Sequence, residues 1–332
     1  MDIAICKYGQ KVIFNRESDE CKRSNTNGNF GLYKLMSLLF NNNKEVTFTL
    51  LSKFDDISMF DNVTCEYDSA KTYDSLIVIA GIKEYENDCK FIETINTINT
   101  KKIIIVSQDP RCIKSMSNDN RLKIMPDVII TQTDEKQLFK GKIIDTIYLP
   151  IQTEECYCMG KFKACRKTNK FIVIANSTFS EYDRVSIVKD LIGDTNCEIY
   201  GRVSNIDDKR FKGEIKFDEV IDKIRHTMCT LLVPIEKGWV TSKYIEALML
   251  GCVPIFYADY GTKLFGLDCI LNKYIVSNNK ELVSVIKWIC ENKDVVSNDM
   301  KILREKLVYK YSDGKILSNE IMKIVEGEIN AI

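Results

Sequence analysis

The feature that most constrains the fold is a regular alternation between short β-branched runs and longer segments that mix polar and apolar residues. Such runs predict buried parallel strands, and the segments between them predict connecting helices. We expect strands at 3–6, 46–51, 76–80, 103–106, 128–131 and 146–149, then at 171–175, 198–200, 230–234, 253–257 and 274–276. We expect helices at 31–40, 88–96, 181–192, 217–225, 241–250 and 280–291. The alternation predicts a doubly wound α/β architecture with right-handed crossovers.

Chain length predicts two such domains. A chain of 332 residues is too long for one ordinary hydrophobic core, and it suits two domains of roughly 150 residues each. We expect a Rossmann-like domain at 1–152, a basic linker at 153–170, a second Rossmann-like domain at 171–298, and C-terminal helices at 299–332 that cross back to the first domain. Ligands of open α/β sheets bind beyond the carboxyl ends of the strands, so the domains should face a central cleft.

Charge and cysteine content argue against several classes of protein. The chain has 47 basic and 47 acidic residues, which argues against a surface that is basic throughout but allows a local basic patch. Its 13 cysteines are scattered, and the sequence opens with Met-Asp-Ile-Ala-Ile-Cys rather than a basic and then apolar signal peptide. We therefore expect reduced thiols in a soluble, cytoplasmic protein. No apolar run reaches the roughly 18 residues that a membrane span needs.

Three neighbouring cysteines invite comparison with a zinc site, but their spacing does not fit one. Cys156, Cys158 and Cys165 lack the paired C-x-x-C arrangement that structural zinc sites favour. The single histidine of the chain, His226, lies far along the sequence from these cysteines. We therefore expect no metal site here.

The segment 239–257 has the pattern of a nucleotide-sugar site. Lys243 and Glu246 share one face of the expected helix, where a lysine can meet a phosphate and a carboxylate can accept two hydrogen bonds from a ribose diol. Gly251 is expected to end the helix, and Pro254 and an apolar strand follow. The alternative is an ordinary amphipathic helix with one exposed ion pair. The order Lys-x-x-Glu, Gly-x-x-Pro and strand resembles the donor-binding motif of GT-B glycosyltransferases, in which the glutamate holds the nucleotide ribose.

A second candidate for donor binding follows the first strand of the second domain. The strand leads into the small polar loop 175–180, which contains Ser177, and a helix carrying Arg184 comes next. Backbone amides at a helix start, together with one guanidinium, suit a pyrophosphate group. The alternative is a plain helix N-cap, because the sequence of strand, Asn/Ser loop and helix occurs in many proteins.

With these pieces in order, the sequence resembles the DNA β-glucosyltransferases of T-even bacteriophages over nearly its whole length. The similar blocks are short: Met1-Asp-Ile-Ala-Ile, Tyr73-Asp-Ser-Leu-Ile-Val-Ile, Tyr148-Leu-Pro-Ile, Cys197-Glu-Ile-Tyr-Gly, Phe211-Lys-Gly-Glu-Ile and the helix with Lys243 and Glu246. The resemblance implies a GT-B fold and an inverting transfer of glucose. UDP-glucose would be the donor, and the hydroxyl of 5-hydroxymethylcytosine in double-stranded DNA would be the acceptor.

The resemblance also implies donor-binding roles for individual residues. Glu246 would bind the ribose hydroxyls, and Lys243 would contact phosphate where the family has an arginine. Arg184 would meet the diphosphate. Ile215, in the Lys-Gly-Glu-Ile loop that contains Gly213, would offer its backbone to the uracil.

Two departures from the family concern the diphosphate. Lysine stands at 243 in place of arginine, and Phe179 or Ser180 stands where the family has the first of two arginines near the loop. An ammonium group cannot make the bidentate contact that a guanidinium makes with phosphate oxygens. The contacts with the diphosphate are therefore expected to differ from those of the family.

Asp109 is the candidate catalytic base. It follows a buried strand in Val106-Ser-Gln-Asp-Pro-Arg111, where the family has an aspartate before an arginine. An inverting transfer needs a carboxylate that takes the proton of the attacking hydroxyl. The alternative is that Asp109 and Pro110 simply make a turn, which is a common use of that pair.

The sugar and acceptor side is expected around Arg111 and the loop 25–29. Asn27 and Asn29 offer carboxamides that suit sugar hydroxyls, and the alternative is a loop without a binding role. A divalent ion could assist the departure of UDP. However, no Asp-x-Asp metal motif stands in a suitable context, so donor binding is not expected to require a metal.

DNA binding needs cations along a groove, because phosphate contacts supply most of the affinity. An enzyme acting on a base in duplex DNA must also flip the base out, which favours mobile, basic rims. The candidate DNA contacts are Lys114, Lys161, Lys163, Arg166 and Lys167. The alternative is a solvated hinge and a protein, glycan or small-molecule acceptor. A third hypothesis is a non-catalytic nucleotide-binding protein with the same fold. We expect a monomer in each case.

Overall fold

The structure is a computed structural model in which the chain forms two compact units. One unit comprises Met1–Thr153 and Asp313–Ile332, and the other comprises Glu154–Ser312. The sequence hypothesis placed the return to the first domain at 299, whereas in the structure the chain up to Ser312 groups with the second unit. The described residues are 1–8, 12–14, 29–51, 54–80, 88–107, 109–131, 133, 146–148, 168–174, 183–201, 208–241, 243–310 and 314–327.

Strands and helices alternate along both units. The described strands are β1 (Asp2–Tyr8), β2 (Val12–Ile13), β3 (Thr47–Leu50), β4 (Phe54–Asp55), β5 (Val63–Thr64), β6 (Ser75–Ala80), β7 (Ile103–Ser107), β8 (Val128–Thr131), β9 (Thr146–Tyr148), β10 (Thr168–Ile174), β11 (Cys197–Tyr200), β12 (Thr227–Leu232), β13 (Val253–Tyr257) and β14 (Ile275–Val276). The described α-helices are α1 (Asn29–Asn42), α2 (Cys89–Thr97), α3 (Pro110–Asn118), α4 (Arg184–Ile192), α5 (Phe217–His226), α6 (Lys243–Met249), α7 (Asp268–Leu271), α8 (Asn279–Glu291), α9 (Lys293–Leu303) and α10 (Lys315–Glu326). The 3-10 helices Thr262–Phe265 and Asn272–Tyr274 flank α7, and a π-helical segment, Arg304–Tyr309, continues α9.

The first unit is built on a seven-stranded sheet in the order β5-β3-β1-β6-β7-β8-β9. Its strands pair in parallel, with Ile5 opposite Ile77, Ile77 opposite Ile104 and Ile104 opposite Val128. A separate parallel pair joins β2 and β4. Parallel strands with helices on both faces are buried on both sides, which explains why they read as continuous β-branched runs in the sequence.

Each face of this sheet carries its own hydrophobic core, because successive side chains of a strand point to opposite faces. Ile3 and Ile5 pack with residues of α1 and α10, such as Leu35 and Ile321. On the opposite face, Ala4 and Cys6 of the same strand belong to a second core. That second core includes residues of α2 and α3: Phe91, Ile95, Cys112 and Met116.

The last helix, α10, is fixed to the first unit at its C-terminal end. Lys102 Nζ donates hydrogen bonds to the carbonyl oxygens of Ile324 at 2.6 Å and Val325 at 3.4 Å. A lysine at this position satisfies terminal carbonyl groups and favours the negative end of the helix dipole. The buried residues of α10 therefore complete the core that α1 begins.

The second unit has a five-stranded parallel sheet in the order β11-β10-β12-β13-β14. Ile172 of β10 packs with Val220 and Ile224 of α5 and with Ala247 of α6. The π-helical segment contacts α6, where Arg304 Nη1 lies 3.4 Å from the Leu248 carbonyl oxygen. Two parallel sheets with alternating helices confirm the expected doubly wound α/β class. Among the described residues, no helix has the length and apolar character needed to cross a membrane.

Candidate functional site

The Lys243 and Glu246 side chains form a compact ion pair at the start of α6. Lys243 Nζ lies 2.8 Å from Oε1 and 2.7 Å from Oε2 of Glu246, so one ammonium group bridges both carboxylate oxygens. The Glu246 side chain is 3% exposed and that of Lys243 is 31% exposed. A buried carboxylate requires such a partner, because desolvation of an unpaired charge is costly. The structure therefore places Lys243 on Glu246, whereas the resemblance implies a contact with phosphate.

The loop that leads into α6 is held by Tyr260. The Tyr260 hydroxyl donates to the carbonyl oxygen of Thr241 and lies 3.1 Å from its Oγ1. Burial raises the pKa of Tyr260, and the negative charge of Glu246 raises it further. The hydrogen bonds with Thr241 and the positive charge of Arg184 act in the opposite direction and lower this pKa. Arg184 and Glu246, which are far apart in sequence, therefore both act on this hydroxyl. The structure brings these two predicted donor-binding residues into one region of the second unit.

Two loops at the carboxyl ends of neighbouring strands are locked together beside this site. Gly238, after β12, donates its N–H to the carbonyl oxygen of Asp259, after β13, at 2.7 Å. A Cβ atom at Gly261 would lie 2.2 Å from the Gly238 carbonyl oxygen, so only glycine permits this close approach. The backbone that precedes α6 thus has little freedom. Beyond the helix, Gly251 has a φ of +68°, which agrees with the helix end expected there.

Arg184 is the first residue of α4, and its side chain turns back to β10. It is buried, and its Nη2 donates to the carbonyl oxygen of Ile174 at 3.3 Å. Asp183 caps the helix by accepting from the Ser186 N–H at 3.0 Å. Sequence reasoning missed this cap, although an aspartate before a helix is a standard start signal. Ser177 lies outside the described residues.

The loop that contains Gly213 and Ile215 runs beside β11, the edge strand of its sheet. The Gly201 N–H donates to the Gly213 carbonyl oxygen at 3.1 Å. Gly213 has a φ of +82°, a backbone conformation that favours glycine. The Ile215 side chain is partly buried against the core cluster that contains Ile172 and Val220. The side chain thus anchors the loop, and the backbone of this segment borders the carboxyl end of the sheet.

In the first unit, Asp109 follows β7 and caps α3. Its Oδ1 accepts from the Arg111 N–H at 2.9 Å, and Pro110 occupies the first turn of the helix. Ser107 Oγ donates to the Asp109 carbonyl oxygen at 3.1 Å. Asp109 is 5% exposed. The pair Asp109-Pro110 therefore begins a helix that the strand and helix pattern had not predicted.

Arg111 grips the Asp109 carboxylate with its guanidinium. Arg111 Nε lies 3.0 Å from Oδ1, and Nη2 lies 2.6 Å from Oδ2. This bidentate geometry is the strong form of an ion pair and fixes the orientation of the carboxylate. On the same helix, Lys114 is exposed.

The same local arrangement of aspartate and arginine recurs at two other places in the described ranges. Arg121 Nε lies 2.9 Å and Nη2 2.7 Å from the Asp119 carboxylate, and Arg210 makes the equivalent contacts with Asp208 at 3.0 and 2.6 Å. An Asp-x-Arg sequence at a turn thus produces this ion pair by local chemistry. The ion pair alone therefore does not identify a catalytic aspartate. What distinguishes Asp109 is its position at the carboxyl end of β7, where ligands of open α/β sheets bind.

The remaining predicted site residues are not described as side chains. Asn29 is the first residue of α1, and only its backbone is described. Asn27, Lys161, Lys163, Arg166 and Lys167 lie outside the described residues. Within the described ranges, no group of three or more His, Cys, Asp and Glu side chains is arranged to hold a metal ion.

Comparison with known proteins adds information at the level of the fold. No family model and no curated protein matches the chain. The structure is similar to T4 phage β-glucosyltransferase, with 20% sequence identity, a TM-score of 0.60, and coverage of 98% of this chain and 99% of that one. The same figures hold for the structure described as the DNA modifying enzyme β-glucosyltransferase.

Two further similar structures were determined with bound ligands. T4 phage β-glucosyltransferase in complex with UDP and Mn²⁺ has 19% identity and a TM-score of 0.57, with coverage of 98% and 99%. Anabaena HepE in complex with UDP and glucose has 11% identity and a TM-score of 0.52, with coverage of 97% and 100%. At these identities the likeness is one of fold, and the two parallel sheets of this chain match the two-domain GT-B fold of these neighbours.

Proposed function

We propose that the chain is a glycosyltransferase that uses a UDP-sugar donor. The observation that carries this proposal is the buried Glu246 carboxylate, bridged by Lys243 beyond the carboxyl end of a parallel strand. A carboxylate only accepts hydrogen bonds and does so through two oxygens, so Glu246 has the acceptor chemistry that suits the two hydroxyls of a ribose. Fold neighbours crystallised with UDP-glucose or with UDP and glucose favour the same ligand.

The donor would lie along the second unit. Glu246 would bind the ribose, Arg184 the diphosphate, and the backbone around Gly213 and Ile215 the uracil. Lys243 would act first as the partner that holds Glu246 in place, since its ammonium group already contacts both carboxylate oxygens. Ser177 would contribute to the diphosphate contacts.

Asp109 would be the general base. As the acceptor hydroxyl attacks the anomeric carbon, its proton would pass to Asp109, a new C–O bond would form, and the bond from the sugar to UDP would break with inversion. In the described part of the chain, Oδ1 accepts two hydrogen bonds from Arg111 and Oδ2 accepts one. Oδ2 therefore has the lone pair that is open to the proton. Arg111 would orient the carboxylate and offset its burial.

The acceptor we propose is the hydroxyl of a 5-hydroxymethylpyrimidine in double-stranded DNA. What supports it is the likeness to a DNA modifying β-glucosyltransferase over almost the whole chain. Lys114 and the linker cations Lys161, Lys163, Arg166 and Lys167 would contact phosphates, and Asn27 and Asn29 the sugar. Such an enzyme would work as a monomer in the cytoplasm that contains the DNA.

The test is transfer from radiolabelled UDP-glucose to three duplexes of one sequence, carrying hydroxymethylcytosine, hydroxymethyluracil or unmodified bases. We expect label in one or both hydroxymethylated duplexes and none in the unmodified duplex. No label in any duplex, with UDP-glucose still bound, would point to a protein, glycan or small-molecule acceptor. No binding of UDP-glucose would refute the donor proposal itself.

A parallel reaction in EDTA tests whether a divalent ion assists the departure of UDP. We expect UDP-glucose to remain bound to the protein in EDTA.

A further inference from the structure

Arg210 connects the Gly213 loop to the end of α4 through a single guanidinium group. Its Nη1 donates to the carbonyl oxygens of Gly193 at 2.6 Å and Thr195 at 3.0 Å, both in the turn that follows α4. Its Nε and Nη2 donate to the Asp208 carboxylate, the shortest contact being 2.6 Å. A guanidinium offers donors in a fixed planar fork, so these contacts hold both partners in one geometry.

The segment that Arg210 holds, residues 208–215, is called here the base loop. It lies along the edge strand β11: the Ile199 N–H donates to the Arg210 carbonyl oxygen at 3.0 Å, and the Lys212 N–H donates to the Ile199 carbonyl oxygen at 2.8 Å. Edge pairing of this kind sets the register of a segment but leaves its outer side without a neighbouring strand. Besides the packing of Ile215 on the core of this unit, Arg210 supplies polar side-chain contacts that tie the base loop to the end of α4.

The end of α4 that receives Arg210 is itself fixed. Asn279, the first residue of α8, donates to the Leu191 carbonyl oxygen at 2.8 Å. The opposite end of α4 begins with Arg184, the proposed diphosphate residue. One helix therefore carries the proposed phosphate-binding residue at its start and the anchor of the base loop at its end. The distance between the two contacts is set by a rigid element rather than by a flexible loop.

We propose that Arg210 is a positioning residue for recognition of the nucleobase. It fixes the base loop relative to α4, so that the backbone near Ile215 meets a pyrimidine ring when Arg184 meets the diphosphate. The inference rests on the proposed donor function. Backbone groups discriminate between bases through their position alone, so a displaced base loop loses selectivity even where its residues are unchanged.

The strong contact between Arg210 and Asp208 agrees with this role. Hydrogen bonds from Arg210 lower the pKa of the Asp208 carboxyl to about 2. Asp208 therefore stays charged, and the ion pair stays formed, across the range in which donor binding would be measured. The base loop is expected to keep one position relative to α4 throughout that range.

The experiment compares wild type with Arg210→Ala, Arg210→Lys and Asp208→Asn by calorimetry with UDP, CDP and inorganic pyrophosphate. Arg121→Ala is the matched control, because Arg121 makes the same contacts with Asp119 in the first unit. We expect Arg210→Ala to weaken UDP binding by about tenfold, which corresponds to one lost set of hydrogen bonds. The preference for UDP over CDP should fall, while pyrophosphate binding should stay within about twofold of wild type.

The two conservative variants and a kinetic measurement separate positioning from general destabilisation. Arg210→Lys and Asp208→Asn should give intermediate losses of UDP affinity, because each keeps part of the contact set. In turnover, KM for the UDP-sugar should rise more than kcat falls. Arg121→Ala should leave all of these quantities at their wild-type values.

Three outcomes would overturn the inference. The first is a folded Arg210→Ala protein with the UDP affinity and base preference of wild type. The second is an equal loss of UDP and pyrophosphate binding, which would indicate a general structural role. The third applies if Arg210→Ala does not fold: it is that Arg210→Lys and Asp208→Asn both keep the UDP affinity and base preference of wild type. A wild-type protein that binds none of the three ligands would instead refute the proposed donor function.

Discussion

The ammonium group of Lys243 contacts both oxygens of the Glu246 carboxylate, at 2.8 and 2.7 Å, while Glu246 itself is 2% exposed. The glutamate is thus held in one orientation by a residue of its own helix. Holding a binding group in its productive geometry lowers the entropic cost of association. The pair is therefore a preformed feature of the second unit, and its two members should depend on one another.

The free energy of unfolding of variants at Lys243 and Glu246 tests whether the two residues depend on one another. Lys243→Met leaves a buried carboxylate without its charged partner and should lower the free energy of unfolding by about 1–2 kcal/mol. The double variant Lys243→Met/Glu246→Gln should recover part of that loss, because the charge is removed together with its partner. Urea unfolding of the wild type, both single variants and the double variant measures the coupling. Additive losses would show that the two residues do not depend on one another.

The role of Asp109 as general base can be tested by comparing the sugar-transfer rates of Asp109→Asn and of a control variant, Asp119→Asn. Asp109→Asn keeps a side chain that can cap α3 but removes the proton acceptor, so kcat should fall by at least about a hundredfold. The affinity for UDP-glucose should stay within about twofold, since Asp109 and the donor residues belong to different units. Asp119→Asn alters an ion pair of the same geometry and should transfer sugar at the wild-type rate. Normal transfer by Asp109→Asn would remove the base assignment.

Alkaline pH tests the buried Tyr260 hydroxyl. Its pKa is raised, chiefly by burial, above the value of about 10 in an unfolded chain. The neutral hydroxyl therefore stabilises the fold fully below that value, and the contribution is lost as pH rises above it. Tyr260→Phe should be less stable by about 1 kcal/mol at neutral pH through the lost bonds to Thr241.

Denaturant unfolding at several pH values checks this sign. The stability difference between wild type and Tyr260→Phe should narrow as the pH passes 10, where the unfolded tyrosine ionises. The other tyrosines are common to both proteins and cancel in the comparison. A difference that stays constant up to pH 11 would contradict the burial of this hydroxyl.

Thiol labelling tests the packing of the second unit. Burial raises the pKa of the Cys197 thiol to about 11 and that of Cys229 well above its usual range, whereas Cys269 is exposed. Thiolate is the reacting form, so Cys197 should react with iodoacetamide at pH 8 at least about a hundredfold more slowly than Cys269. Peptide mass spectrometry of the native protein measures both rates. Equal rates for Cys197 and Cys269 would show that the Cys197 side chain in the edge strand β11 is accessible to solvent, contrary to the structure.

The fold class could be predicted from the sequence because each parallel strand is buried on both faces. A run such as 103–106 therefore has no polar position, and it is recognisable without tertiary information. The helix α3 was missed because Asp109-Pro110 is equally good chemistry for a turn and for a helix start. Local patterns fix the type of an element better than the identity of its first residue.

The site was harder to predict because its contacts depend on tertiary structure. Spacing places Lys243 and Glu246 on one helix face, but it cannot tell whether the ammonium turns toward the glutamate or toward a ligand. The bond from Tyr260 to Thr241 spans 19 residues, and that from Arg210 to Gly193 spans 17. Such contacts depend on how the loops at the strand ends pack together, and no short sequence motif predicts them.

The most direct test of the central claim is calorimetric titration with UDP-glucose of wild type, Glu246→Gln and Glu320→Gln. Glu320 forms an exposed ion pair with Lys323 three residues away in the first unit, so it matches Glu246 in spacing and differs in burial and place. We predict that wild type and Glu320→Gln bind UDP-glucose equally, and that Glu246→Gln binds at least about tenfold more weakly. A wild-type protein that does not bind UDP-glucose, or a Glu246→Gln variant that binds it as tightly as wild type, would contradict the account.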